Sequence, residues 1–68
     1  MIDIGKKLKE LRKSIELTQD ELANKLAIPR VNYTRYELGT VRPDYETIIK
    51  IADFYDISLD ELFGRKNI

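Results

Sequence analysis

Apolar residues recur at helical spacing along most of this chain, and this pattern limits what the chain can fold into. Ile4, Leu8, Leu11 and Ile15 follow one another at intervals of three or four positions, which places them on one face of a helix. Apolar and polar residues do not alternate over any sustained stretch, as they do in half-buried strands. The sequence therefore predicts an all-α fold.

Helix starts are marked by residues that can satisfy free backbone N–H groups. Thr18–Glu21 and Ser58–Glu61 are capping boxes, in which a hydroxyl residue and a glutamate three positions later bond each other's backbone N–H. Asp3 and Asp44 can cap two more helices, and Pro29 suits the first position of another. These signals predict five short helices in a single domain.

Helix ends and apolar faces complete this prediction. Gly39 ends the third helix, predicted at about residues 29–38, and Gly64 ends the fifth. We expect one domain covering the whole chain, with a core at about residues 4–63 and a frayed tail at 64–68. The expected inner faces of the later helices carry Leu22, Ala23, Leu26, Ile48, Ile51, Ala52, Tyr55, Leu59, Leu62 and Phe63.

Composition excludes several classes of function. The 68 residues include no His and no Cys, so the chain lacks the commonest general base, the commonest metal ligand and any disulfide. Its apolar runs are too short to span a membrane and no secretory signal is visible, so a cytoplasmic location is expected. The sequence predicts no catalytic site, metal site or cofactor, and no small-molecule substrate is evident.

The charges sum to zero but are unevenly distributed. Residues 1–43 contain nine Lys and Arg against six Asp and Glu, whereas residues 44–68 contain three against six. A basic patch can therefore exist on a neutral chain, although ordinary surface variation produces the same imbalance. Charge alone does not decide between these interpretations.

The second and third predicted helices are joined by about three residues, which suits the steep crossing of a helix-turn-helix. Around them the chain resembles the Xre family of lambdoid-phage-repressor-like helix-turn-helix domains. The resemblance implies a compact five-helix, lambda-repressor-like domain whose third helix enters the DNA major groove. The matching segments are Leu17–Ala23, Leu26–Ile28, Arg35–Gly39, Arg42–Pro43, Ile48–Ala52 and Ile57–Phe63.

The resemblance also implies which residues contact DNA bases. In the family, the outward face of the third helix meets base edges, and Arg30, Val31, Thr34 and Arg35 stand at those positions. Each arginine can bond guanine O6 and N7, and the valine can touch a thymine methyl group.

Other positions match family contacts to phosphate. Asn32 lies toward the edge of the recognition face, where both a phosphate and a base remain open as partners. The residues assigned to phosphate are Gln19, Asn32, Tyr33, Thr40 and Arg42. Arg12 and Glu37 match a buried ion pair that ties the first helix to the third.

Three residues depart from the family pattern. Ala27 stands where the family usually has Gly, so a left-handed conformation there costs about 1 kcal/mol. Pro29 replaces the usual Ser, Thr or Asn cap of the third helix. Tyr33 takes an aliphatic core position, so we expect its hydroxyl to reach solvent or a phosphate, because burying it unpaired costs about 1–3 kcal/mol.

The leading hypothesis is a sequence-specific DNA-binding transcriptional regulator that acts as a repressor. The alternative is a protein-interaction module that kept the fold and lost DNA binding, which the zero net charge and the acidic C-terminal third favour. An enzyme is not expected. The resemblance further implies a homodimer on a palindromic operator. The sequence does not locate its dimer surface, and the candidates are the exposed parts of residues 59–68.

Overall fold

The computed structural model describes residues 4–63, and within them the chain forms five α-helices and no strand. The all-α prediction is confirmed. Asp3, Gly64 and the predicted frayed tail lie outside the described residues. The helices are α1 (Ile4–Ser14), α2 (Gln19–Leu26), α3 (Arg30–Leu38), α4 (Tyr45–Tyr55) and α5 (Leu59–Leu62).

Both capping boxes form as the sequence predicts. The Thr18 hydroxyl accepts the Glu21 N–H at 3.1 Å, and the Glu21 carboxylate accepts the Thr18 N–H at 2.9 Å. The box at Ser58 repeats this arrangement. Asp44 Oδ1 accepts the N–H of Thr47 at 2.9 Å and caps α4. Three helix starts are therefore determined by side chains within three residues of the boundary.

The start of α3 differs by one position from the prediction. Pro29 is the N-cap rather than the first helical residue, because its ψ of 135° is extended. The helix begins at Arg30 and has no side-chain cap.

Four helices end in the same kind of left-handed turn. The turn residues Glu16, Ala27, Gly39 and Asp56 have φ between 57° and 82°. In each case the next residue donates its N–H to a carbonyl five positions earlier, at 2.9–3.3 Å, as in a Schellman motif. Three of these turns are made by residues other than Gly, for which the left-handed conformation is unfavourable.

The core draws one fully buried side chain from every helix: Leu8, Leu22, Tyr33, Ile51 and Leu62. This core holds α2 and α3 against α1, α4 and α5.

One residue predicted on the inner face of α1 lies elsewhere. Ile15 is 41% exposed, because α1 ends at Ser14 and the chain turns there.

A close approach of α1 to α3 occurs at Gly5. A Cβ atom at this position would lie 2.7 Å from the carbonyl oxygen of Tyr36 and nearer still to that of Glu37. Such contacts are too short for a side chain, so glycine permits α1 to pack against the last turn of α3.

Candidate nucleic-acid interface

The turn between α2 and α3 contains residues 27–29. Ala27 takes the left-handed conformation that the sequence analysis considered, with φ 57° and ψ 40°. Its neighbour Ile28 donates its N–H to the Ala23 carbonyl at 2.9 Å and inserts its side chain into the core. The turn therefore fixes how α3 leaves α2.

The outward face of α3 carries the residues predicted to read bases. Arg30, Val31 and Arg35 are exposed, Val31 to 54%, and Thr34 is half-buried at the edge of the same face. These four positions fall within an arc of about 140° around the helix, so they share one side of it. An α-helix with its side chains is about 10–12 Å in diameter, which fits a major groove about 12 Å wide.

At the inner edge of this face, seven residues after Arg30 and three after Thr34, Glu37 holds α3 to α1. Arg12 Nε donates to Glu37 Oε2 at 2.7 Å, and Arg12 Nη2 donates to Oε1 at 3.2 Å. Arg12 Nη1 also donates to the carbonyl oxygen of Leu17 at 2.9 Å. The side chains of Arg12 and Glu37 are only 12% and 4% exposed. The ion pair implied by the family resemblance is thus present.

The hydrogen bonds continue from Glu37 into α2. Gln19 Nε2 donates to Glu37 Oε1 at 3.0 Å, and Thr34 Oγ1 donates to Gln19 Oε1 at 3.0 Å. Arg12, Glu37, Gln19 and Thr34 therefore form one connected set across three helices, which we call the polar network.

Burial by itself would raise the pKa of Glu37. The hydrogen bonds from Arg12 and Gln19 outweigh this effect and hold the pKa of the carboxyl below its usual value. The polar network therefore contains a carboxylate at neutral pH, which can only accept hydrogen bonds.

The prediction for Tyr33 is wrong. Its side chain is fully buried, so its hydroxyl reaches neither solvent nor a phosphate. The reason is its place on α3, three residues before Tyr36, which puts both rings on the core side of the helix. Within residues 4–63 the hydroxyl has no hydrogen-bond partner of acceptable geometry, and burial together with the nearby Glu37 carboxylate raises the pKa of Tyr33.

The other residues assigned to phosphate lie at the surface. Asn32, Thr40 and Arg42 are exposed. The Thr40 hydroxyl donates to the Arg35 carbonyl at 3.4 Å, so it helps to close the end of α3. Arg42 lines a pocket beside Ile4, on the α1 side of the loop.

The hydrogen bonds that join Gln19, Thr34 and Glu37 were not predicted from the sequence. The spacing of Thr34 and Glu37, three residues apart on one helix, was a signal that both could meet the same partner. Within the candidate dimer surface, the exposed residues of α5 are Asp60 and Glu61, whereas Leu62 is fully buried.

Two further observations concern the described part of the chain. None of its helices is long and apolar enough to cross a membrane. No group of three acidic side chains among residues 4–63 is arranged to hold a metal ion.

The chain is similar to known helix-turn-helix transcriptional regulators. A family model described as helix-turn-helix matches residues 8–62. The chain is 51% identical over 61 residues to the HTH-type transcriptional regulator YqaE of Bacillus subtilis (88% of this chain, 53% of that protein). It is 42% identical over 62 residues to the CTXphi transcriptional repressor RstR of Vibrio cholerae (91% and 55%). The chain thus spans about half the length of these relatives.

A solved structure shows the same fold. The crystal structure of a transcriptional regulator from Listeria innocua matches with a TM-score of 0.83 at 28% identity, covering 96% of this chain and 61% of that one. The lambda-repressor-like architecture expected from the sequence is confirmed.

Proposed function

This chain belongs to the helix-turn-helix family, and on that basis we propose that it is the DNA-binding part of a transcriptional repressor. The observation that carries the proposal is the geometry of α3. Its outward face presents two exposed cationic side chains, Arg30 and Arg35, with Val31 between them, while the almost buried Glu37 anchors the edge of that face to α1. A helix held in this way offers a rigid edge to the major groove.

Each outward residue has a proposed role. Arg30 and Arg35 bond guanine O6 and N7, and Val31 contacts a thymine methyl group. Gln19 donates to a phosphate from the start of α2, and the exposed positions Asn32 and Arg42 add contacts to the DNA backbone. These contacts combine base reading with electrostatic attachment.

The proposed partner is a palindromic operator bound by two copies of the chain. Two-fold symmetric binding is the usual arrangement for this architecture, with half-sites about one helical turn apart. Because the proposed operator DNA is part of the nucleoid, the proposed location of the protein is the cytoplasm. We propose no catalytic activity, since the family consists of DNA-binding regulators.

Selection from random duplexes by the purified chain at low salt tests this function. An enriched inverted repeat supports a DNA-binding dimer, and an enriched single half-site supports DNA reading by one copy. Enrichment of no sequence would contradict the proposal and favour the protein-interaction module.

Two variants then test the role of α3. The Arg35→Ala variant should lose its base preference at one base pair of the enriched site. This preference corresponds to about 1–3 kcal/mol of binding free energy. Lys9→Ala removes the same charge from the exposed face of α1 and should keep the base preference.

A further inference from the structure

Thr34 lies on the recognition face, yet its hydroxyl proton is directed into the protein. Thr34 Oγ1 donates to Gln19 Oε1 at 3.0 Å, and the side chain is half-buried. We propose that Thr34 is a positioning residue, which orients Gln19 toward a DNA phosphate instead of reading a base. This inference rests on the proposed function and assigns Thr34 a different role within it.

The two ends of the Gln19 amide are chemically distinct, and the carboxylate of Glu37 suits only one of them. Glu37 is an ionised carboxylate and accepts from Nε2 at 3.0 Å. Thr34 donates to Oε1. Reversing the amide would place its oxygen against the carboxylate, so Glu37 sets its orientation. The Thr34 hydroxyl, which can donate or accept, donates to the oxygen that this orientation presents and holds it in place.

This orientation leaves one Nε2 hydrogen uncommitted to the polar network. Gln19 is the first residue of α2, where backbone N–H groups are also free of partners within the helix. A phosphate at this position would therefore meet donors from both the side chain and the backbone.

Orientation matters more here than charge. Asp20 and Glu21 occupy the same first turn of α2 and oppose the attraction of the helix dipole for an anion. A phosphate would therefore depend on directed hydrogen bonds. Loss of the Thr34 hydroxyl would release one of the two restraints on the Gln19 amide and weaken that contact.

The test uses Thr34→Val, which keeps the shape of the side chain and removes the donor, and Thr34→Ser, which keeps the donor. The probe is the duplex enriched by the wild-type chain, with single-base variants of it. Thr34→Val should weaken binding about three- to tenfold on every duplex and leave the preferred sequence unchanged. Thr34→Ser should bind as the wild type does.

A double-mutant cycle separates positioning from base reading. In a Gln19→Ala background, Thr34→Val should cause no further loss of affinity, because the side chain through which it acts is gone. The salt dependence of binding should also stay unchanged, since a neutral amide displaces no counterion. Thermal unfolding reports whether each variant is folded, and Thr34→Ala serves if valine disturbs the helix.

The outcomes distinguish a failure of this inference from a failure of the proposed function. A wild-type chain that enriches no duplex overturns both. A wild-type chain that selects a sequence, with a Thr34→Val variant that prefers a different base at one position, overturns only the role of Thr34. An undiminished effect of Thr34→Val in the Gln19→Ala background overturns it as well.

Discussion

Arg12 and Glu37 are 25 residues apart in the chain and meet through two hydrogen bonds, at 2.7 and 3.2 Å. One residue belongs to α1, and the other lies at the inner edge of the outward face of α3. Two side chains that are only 12% and 4% exposed thus fix the direction in which α3 presents that face.

Glu37→Ala should destabilise the domain by about 3–5 kcal/mol, because it leaves the Arg12 guanidinium almost buried without its partner. Urea unfolding measures the change. The matched control is the double variant Arg12→Met with Glu37→Leu, which replaces both charges by apolar groups and should recover much of the loss. A cost below about 1 kcal/mol for Glu37→Ala would show that the pair contributes little.

Acid should weaken the folded state partly through Glu37. Its pKa in the folded chain lies below the usual 4.5, so its contribution to the free energy of unfolding is complete above that pH. The contribution is lost as the pH falls through the lower folded value. Glu37→Gln should therefore flatten the decline in stability on acidification, measured by unfolding between about pH 6 and pH 2.

A charge-matched variant tests whether this effect belongs to the polar network. Glu46→Gln removes an exposed carboxylate from the first turn of α4. An equal flattening in both variants would show that the loss of any carboxylate, and not the loss of the ion pair, accounts for the decline in stability on acidification.

Ala27→Gly should stabilise the domain by about 1 kcal/mol. Ala27 has φ 57°, and glycine adopts this left-handed conformation without the clash that a Cβ atom causes. Ala23→Gly is the control, because Ala23 lies inside α2 and should lose stability on the same change. Thermal unfolding of both variants gives the comparison, and a destabilised Ala27→Gly protein would contradict the expected release of strain.

Gly5→Ala should destabilise the domain although alanine is the better helix former. The propensity gain is about 1 kcal/mol. The new Cβ atom would meet the backbone carbonyl oxygens of Tyr36 and Glu37, and overpacking of this kind costs about 1–3 kcal/mol. Chemical denaturation measures whether the free energy of unfolding falls or rises. A more stable variant would mean that α1 moves away from α3 at little cost.

Gly39→Ala offers a contrast to this change. The space around Gly39 is open, and its φ of 82° is the only obstacle to a side chain. Its substitution should cost about 1 kcal/mol through the backbone alone.

Much of the fold follows from signals that lie close together in the chain. The capping boxes at Thr18 and Ser58 and the cap at Asp44 were predicted correctly, because each depends on residues three positions apart. Pro29 was misplaced by one position, since its fixed φ suits both the cap and the first helical residue.

The contacts between helices were harder to predict. The spacing of Tyr33 and Tyr36 places both rings on the core side of α3, but complete burial of the Tyr33 hydroxyl depends on how the other helices pack around it. The same holds for the bond between Thr34 and Gln19, which joins two helices across the turn. The DNA contacts themselves stay predictions from family resemblance.

The caps and left-handed turns described above have a consequence for how such a domain changes over generations. The helix boundaries here are specified by residues close to them in the chain. The side chains of Arg30, Val31 and Arg35 take no part in those boundaries. Substitutions at these three positions can therefore change the proposed DNA contacts while leaving the helix boundaries unchanged.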